Sequence, residues 1–322
     1  MYQGFPYFFL EILWEFLLQC SVPSSYAKSR VLWYNDFILI MHELKEAGKI
    51  KITAIMDNLN GGRKDLKAEH GLSLYAQTDR VRVLFDFGAG EHTCENAFRL
   101  NIRPERTDFA VCSHGHYDHG GGYRAFVQNG LTCPLVTGKG FFTEKYARMG
   151  RKAAYLGTGF DQAFLEENKI THMECPDILS LVPDCWVIGN IRRTHGFETS
   201  PGRFVIRSQS AWVQDTFSDE VCMVFKENEE LTVIVGCSHP GILNILDTVR
   251  EHFKLPIRAV IGGTHLVEAD RSRIEKTVAA MKSMGIRLLG FNHCSGELFR
   301  EMTEADPELD TVYLGAGDCL FL

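Results

Sequence analysis

The chain has 322 residues, 34 Lys and Arg against 41 Asp and Glu, a formal net charge of −7 and 45% hydrophobic residues. These values exclude a disordered low-complexity chain, and the mild acidity argues against a general nucleic-acid binder. Ten cysteines are scattered without a Cys-x-x-Cys pair, which excludes a disulfide scaffold and favours reduced thiols in the cytoplasm.

The most apolar segment comes first, at residues 1–19. It is too short for a transmembrane helix, Glu11 and Glu15 interrupt it, and it lacks the basic start of a signal peptide. The spacing of the two glutamates fits an amphipathic helix that docks on the main domain, a partner or a membrane surface. The sequence from Met41 onward instead reads like the natural start of a domain, which favours an N-terminal extension that is not part of the native domain. We therefore assign residues 1–48 to an N-terminal extension and residues 49–322 to one compact domain, with no integral membrane segment.

From residue 49 onward, strand and helix patterns alternate. The β-branched and aromatic segments that predict strands are 49–56, 81–87, 109–112, 220–225, 231–235, 258–261, 287–291, 311–314 and 319–322. Apolar residues at helical spacing predict helices over 242–253 and 271–284. This alternation predicts an α/β fold in which helices cover the sheets. Residues 150–214 are the least readable, and we expect insertions near the functional site there.

A dense run of histidines, SHGHYDHGGG at residues 113–122, directly follows a predicted strand. His114 and His116 are two residues apart and can face one ion, while Asp118 and His119 can face a second. Imidazole nitrogens with a carboxylate suit Zn²⁺, and Mn²⁺ or Fe²⁺ is also allowed. The sequence therefore predicts a site for one or two metal ions at the end of this strand.

Three further histidines, His239, His265 and His293, each follow a later predicted strand. Strand ends are where α/β folds place functional groups, and ligands from several strands make a rigid site. We expect at least two of these histidines to bind metal or substrate.

The motif SHGHYDHGGG resembles the metal-binding signature of the metallo-β-lactamase superfamily. The motifs LFDFG, VGCSHPGILNIL, IGGTHL and NHCSG resemble a narrower branch, the 7,8-dihydropterin-6-methyl-4-(β-D-ribofuranosyl)aminobenzene-5′-phosphate synthase-like metal-dependent hydrolases. The resemblance runs from about residue 49 to residue 322, which would make this range the catalytic domain. It implies an α/β (α+β) fold, the four-layer αβ/βα sandwich of the metallo-β-lactamase type, with the metal site in a cleft along one edge of the sheets.

The resemblance also implies a ligand set. His114, His116 and a later histidine would hold the first metal, and Asp118, His119 and another later histidine the second. We assign His239 and His293 as the later pair, although the sequence leaves open an exchange between His265 and His293. An acidic residue at the position of Asp86 would orient a ligand imidazole.

The sequence departs from the superfamily pattern at the position of a metal-bridging Asp, which here reads Cys237-Ser238-His239. Two states of Cys237 remain open, a thiolate ligand and a buried inert thiol. Asp215, Asp219 and Glu220 lie just upstream, and they either contribute a carboxylate to the cleft or form a solvated turn.

The resemblance implies a metal-dependent hydrolase acting on a phosphorylated or pterin-like small molecule, with synthase activity as a further expectation. Asp118 and His265 are the candidate catalytic residues, with His265 as general acid to the leaving group. A non-haem iron redox protein and a non-catalytic metal-pocket ligand sensor are the alternatives. We expect a small-molecule substrate and no nucleic-acid partner, and homo-oligomer formation stays open.

Overall fold

The computed structural model describes residues 50–208 and 211–322, so the predicted extension at residues 1–48 lies outside the described residues. The strands are β1 Lys51–Met56, β2 Ser73–Gln77, β3 Arg82–Phe85, β4 Phe109–Val111, β5 Leu135–Gly138, β6 Lys145–Met149, β7 Lys152–Tyr155, β8 His172–Cys175, β9 Ile178–Val182, β10 Cys185–Ile188, β11 Phe204–Ser208, β12 Ala211–Gln214, β13 Cys222–Glu227, β14 Glu230–Val235, β15 Ile257–Gly262, β16 Leu288–Phe291, β17 Asp310–Tyr313 and β18 Cys319–Phe321.

Helices connect and cover these strands. They are α1 Glu91–Arg99, α2 Tyr117–Gly120, α3 Tyr123–Gln128, α4 Gln162–Glu167, α5 Ile242–Phe253, α6 Arg271–Ser283 and α7 Glu297–Glu304, with a short 3-10 helix at Pro104–Arg106. Across the two described stretches, no helix has both the length and the apolar character needed to cross a bilayer.

Two seven-stranded sheets form the centre of the fold. The first has the order β18-β1-β2-β3-β4-β5-β8 and the second the order β17-β16-β15-β14-β13-β10-β9. Strands β3, β4, β5 and β8 pair in parallel, as do β14, β15, β16 and β17. Because parallel strands end at the same edge, the loops that follow β3, β4, β14, β15 and β16 can meet.

Apolar side chains form three core layers, which lie between the four layers of sheets and helices. Apolar side chains from both sheets pack between them, for example Ile52 and Val83 of the first sheet against Ile234 of the second. Helices α1, α3 and α4 cover the outer face of the first sheet, and α5, α6 and α7 cover that of the second. The predicted four-layer αβ/βα sandwich is therefore confirmed.

The strands predicted at 220–225 and 231–235 correspond to β13 and β14, which form a hairpin. Glu227 pairs with Glu230, which leaves Asn228 and Glu229 as a two-residue turn, both with positive φ. That backbone is the one that matches the twist of a tight antiparallel hairpin.

A third sheet, β12-β11-β6-β7, accounts for much of the unreadable range 150–214. Phe204, at the start of β11, reaches the histidine cluster described below, so this sheet lies beside the candidate site. The remaining strands of that range, β8, β9 and β10, extend the two large sheets.

Candidate metal centre

The candidate site is built from loops that leave strand ends of both large sheets. Asp86 follows β3, the 113–119 segment follows β4, and the loops after β14, β15 and β16 carry the later histidines. Asp86, Ser238, His265 and His293 all have φ between 50° and 60°. Left-handed backbone is costly for residues other than Gly, and it is concentrated at functional sites when the surrounding structure enforces it.

The first donor cluster consists of His114, His116 and His239, whose ligand nitrogens lie within 4.8 Å of one another. All three are buried, and within the described residues His114 Nε2, His116 Nε2 and both ring nitrogens of His239 lack a hydrogen-bond partner. Burial lowers the pKa of His114 and His239 well below the usual value and that of His116 to about 3. The rings are therefore neutral, with lone pairs available to a metal ion.

The second donor cluster consists of Asp118, His119, Cys237 and His293, again with ligand atoms within 4.8 Å of one another. His119 Nε2 lies 3.1 Å from the Cys237 Sγ atom, and His293 Nε2 lies 3.4 Å from Asp118 Oδ2. Burial raises the pKa of Asp118, but His119, His293 and His70 outweigh it, so the net pKa lies well below the usual value and the carboxylate is ionised. Imidazole, carboxylate and thiol donors together fit a divalent ion such as Zn²⁺.

The two clusters adjoin, since the rings of His114 and His119 have centroids 4.3 Å apart. Burying several unpaired nitrogens without a ligand costs free energy, on the order of 1–3 kcal/mol for each polar group. A pair of metal ions would satisfy these nitrogens, and the donor sets therefore fit the metals that the sequence predicts.

Asp86 orients the metal loop, as the resemblance implies. Its carboxylate accepts hydrogen bonds from Ser113 N at 2.6 Å and Ser113 Oγ at 2.8 Å, and it lies 2.7 Å from His119 Nδ1. Ser113 Oγ is also 2.9 Å from His114 Nδ1. His114 of the first cluster and His119 of the second thus have their Nδ1 atoms in hydrogen bonds, which leaves their Nε2 atoms facing the clusters.

Asp57 and Asn58 hold His293, and the sequence analysis missed both. Asp57 Oδ1 accepts the backbone N–H of His293 at 2.7 Å, and Asn58 Oδ1 lies 3.1 Å from His293 Nδ1. The usable signal was their position, because two polar residues directly follow the buried strand β1, as the other site residues follow theirs.

The three upstream carboxylates have partners outside both donor clusters. Asp215 and Asp219 bind the buried Lys145 Nζ atom at 2.6 and 2.8 Å. Asp219 also accepts the Gly115 N–H at 2.8 Å, and Glu220 accepts the His239 N–H at 3.0 Å. None of the three is a member of either donor cluster in the part of the chain that the structure describes, and all three are buried, so they form buried supports of the ligand loops rather than a solvated turn.

His265 lies beside the first cluster, with its ring centroid 4.4 Å from that of His239. Burial lowers its pKa to about 4, so the ring is neutral near pH 7. The Phe217 ring stacks on the His239 ring with centroids 3.9 Å apart, and the Phe204 ring centroid lies 5.4 Å from that of His116. These aromatic rings line the first cluster.

His70 is a further histidine of the site that the sequence analysis missed. Its Nε2 atom lies 3.2 Å from Asp118 Oδ2, although the side chain is 58% exposed. No strand end precedes it directly, and it belongs to no dense motif, so no local pattern in the sequence marks it.

Comparison with known proteins supports the same fold. Over 295 residues the chain is 26% identical to the 7,8-dihydropterin-6-methyl-4-(β-D-ribofuranosyl)-aminobenzene-5′-phosphate synthase of Methanocaldococcus jannaschii. This alignment covers 86% of this chain and 98% of the relative. No family model matches the chain.

Solved structures agree. Tm1679, described as a metal-dependent hydrolase of the β-lactamase superfamily, superposes with a TM-score of 0.71 at 28% identity, covering 85% of this chain and 99% of that one. The metallo-β-lactamase fold protein YhfI from Bacillus subtilis gives a TM-score of 0.52 at 12% identity, over 84% of this chain and 98% of that one, and supports the fold alone. The chain has the metallo-β-lactamase fold, and the resemblance predicted from its motifs is confirmed.

Proposed function

We propose that this chain is a metal-dependent, hydrolase-like enzyme acting on a phosphorylated or pterin-like small molecule in the cytoplasm. The observation that carries the proposal is the pair of adjacent buried donor clusters, in which ring nitrogens point inward without partners. The hydrolase and synthase names of the similar proteins support an enzyme rather than a sensor.

The two clusters suit different tasks. His114, His116 and His239 would hold an ion through three donors, the number typical of catalytic zinc sites. Asp118, His119, Cys237 and His293 would hold an ion through four donors, the number typical of structural zinc sites. A divalent ion at the three-histidine cluster supplies a Lewis acid that lowers the pKa of water toward 7 and polarises a substrate oxygen.

Asp118 and His265 are our candidates for proton handling. Asp118 is ionised and belongs to the second cluster, which adjoins the first, so we assign to it the proton of the nucleophile. His265 is neutral, so at pH 7 it offers a hydrogen bond to the leaving group rather than an imidazolium proton. The general-acid role of His265 stays a prediction.

A transferase activity is the second candidate, and the similarity to a synthase along 86% of the chain favours it. In that reaction the same clusters would assist departure of a pyrophosphate group from a pterin methyl carbon. If pyrophosphate is released from such a substrate only when an aromatic acceptor is present, the activity is that of a synthase rather than a hydrolase.

Metal content tests the proposal. Elemental analysis of protein purified without added metal should give up to two equivalents of zinc, or of manganese or iron, and His239→Ala and His293→Ala should each lose about one. His252→Ala is a matched control, because His252 lies on α5 beside Asp177, outside the clusters. The wild type should hydrolyse a phosphoester panel, and His239→Ala should not. Full metal content in both site variants would overturn the ligand assignment.

The domain assignment is tested by deletion. All seven cluster donors lie between residues 114 and 293, so we propose that a chain lacking residues 1–48 keeps its metal content. Loss of metal from a folded truncated chain would place part of the site's support in the extension.

A further inference from the structure

We propose that His70 binds an anionic oxygen of the substrate at the solvent side of the second donor cluster. This inference rests on the proposed function, and it assigns the charged end of the substrate to one side of the cleft. The phosphate class follows from the chemistry, because an imidazole N–H beside a metal cluster is a donor suited to a phosphoryl oxygen.

The geometry puts His70 at the entrance to the second cluster. Three imidazole Nε2 atoms converge on Asp118 Oδ2: those of His70 at 3.2 Å, His293 at 3.4 Å and His119 at 3.7 Å. Of the three side chains, those of His119 and His293 are fully buried, whereas that of His70 is 58% exposed. His70 is therefore the member of this group that faces both the cluster and solvent.

The loop that carries His70 is held on both sides of it. Glu69 N donates to Asp57 O at 3.2 Å, and Gly71 N donates to Asn58 Oδ1 at 3.2 Å. A Cβ atom at Gly71 would lie 2.8 Å from the Asp118 backbone oxygen, so the loop comes this close to the metal segment only with Gly at that position. The same Asp57 and Asn58 hold His293, so His70 is positioned by the support of a cluster ligand.

His70 lies next to the ligand set without completing it. The four donor atoms of the second cluster lie within 4.8 Å of one another, and His70 is not in that set. An ion bound by the Asp118 carboxylate would withdraw negative charge from Oδ2 and weaken its attraction for the N–H of His70, which lies 3.2 Å away. The His70 ring, whose centroid lies 5.1 Å from that of His293, can then donate its N–H to an anionic group that arrives from solvent.

Inorganic phosphate is the probe that tests this inference. Calorimetry on zinc-loaded wild type should show phosphate binding, and His70→Ala should weaken it about tenfold or more, the usual effect of losing a hydrogen bond to a charged group. His70→Gln keeps an N–H donor of similar reach and should stay within about threefold of wild type. His195→Ala is the control, since His195 pairs with Asp247 at 2.8 Å away from the clusters and should leave binding unchanged.

Metal analysis of the same samples separates the outcomes. The inference requires that His70→Ala keeps the metal content of wild type while phosphate affinity falls and His70→Gln restores it. Unchanged affinity in His70→Ala overturns it, as does a lost metal equivalent, which would make His70 a ligand. Phosphate binding through His70 in a protein without phosphoester turnover would refute the proposed hydrolase and leave the anion site standing. A wild type that takes up metal without binding phosphate would refute the anion site alone, and one that takes up no metal would refute both.

Discussion

Asp86 connects the two donor clusters at the residue scale. It is fully buried, accepts two hydrogen bonds from Ser113 and holds His119 through Nδ1. Because His119 donates from Nδ1, its Nε2 atom keeps the lone pair that a ligand needs. This single carboxylate therefore sets the tautomer of a second-cluster imidazole.

We predict that Asp86→Asn lowers affinity for the second metal by about 10- to 100-fold, the usual cost of losing such a support. The amide is isosteric and tolerates the left-handed backbone at this position, but its NH₂ group opposes the Nδ1–H of His119. Competitive metal titration measures the change. Asp108→Asn, at a half-exposed pair with Arg82, is the matched control and should bind both metals as wild type does.

Cys237 and Cys294 offer a second test at this scale, because only Cys237 belongs to a donor cluster. Burial raises its pKa, so the thiol ionises only when an ion takes the proton's place. The Cys294 sulfur instead accepts the His265 N–H at 3.3 Å. We predict that the cobalt-loaded protein shows a thiolate charge-transfer band that Cys237→Ser abolishes and Cys294→Ser retains. A band that persists in Cys237→Ser would mean that the thiol is not a ligand.

The residues predicted from the sequence are those with local signals. His114, His116, Asp118 and His119 lie within six positions of the chain, and His239, His265 and His293 each follow a recognisable strand. His70, Asn58 and Lys145 act through contacts with residues far along the chain; Asn58 and His293 are 235 positions apart. The sequence does not show which residues the fold brings together over that separation, so these contacts emerge only from the structure.

At the scale of elements, helix α5 matches its predicted range because its apolar face repeats at helical spacing over twelve residues. Strands β6, β7, β11 and β12 were not predicted. Strand β7 is exposed along its whole length, and β12 is mostly exposed, so neither shows the alternation that marks a half-buried strand. The third sheet carries a buried cation, Lys145 on β6, which binds Asp215 and Asp219.

We predict that Lys145→Met lowers the free energy of unfolding by about 3–5 kcal/mol, because two buried carboxylates then lack their cation. Urea denaturation measures it. Lys226→Met, which removes a surface pair with Glu229, is the control and should leave the free energy of unfolding nearly unchanged. Burial lowers the pKa of Lys145, but Asp219 and Asp215 outweigh it and the net pKa is raised. The stabilising contribution is therefore complete below the usual pKa of 10.5 and is lost only as pH rises through the folded-state value. A loss of unfolding free energy as small as that of Lys226→Met would show that Lys145 and its two carboxylates do not hold the sheet.

At the scale of the whole molecule, each cluster takes donors from both large sheets. The first sheet supplies His114 and His116, and the second supplies His239; likewise Asp118 and His119 meet Cys237 and His293. An ion in either cluster therefore joins the two halves of the sandwich across their shared edge.

We predict that chelation lowers the melting temperature of the wild type by about 5 °C or more. A ligand at 100 times its dissociation constant stabilises the folded state by about 2.7 kcal/mol, and two ions by about twice that amount. Because the entropy of unfolding is about 2.1 cal/mol/K per residue, one kcal/mol shifts the Tm of a chain of this length by about 1.5 °C. Differential scanning calorimetry with and without chelator checks this. The double variant His239→Ala with His293→Ala should melt at one temperature in both conditions. An unchanged wild-type Tm would mean that metal does not join the sheets.

The division of donors between the sheets also sets an order of events during translation. The 114–119 ligands leave the ribosome long before Cys237 and His239, and His293 follows last. Until His239 has been made neither cluster has its full set of donors, and the second cluster also waits for His293, so a growing chain offers metals only a partial, exposed site. Tight metal capture therefore marks a chain whose two halves have both been made and have docked.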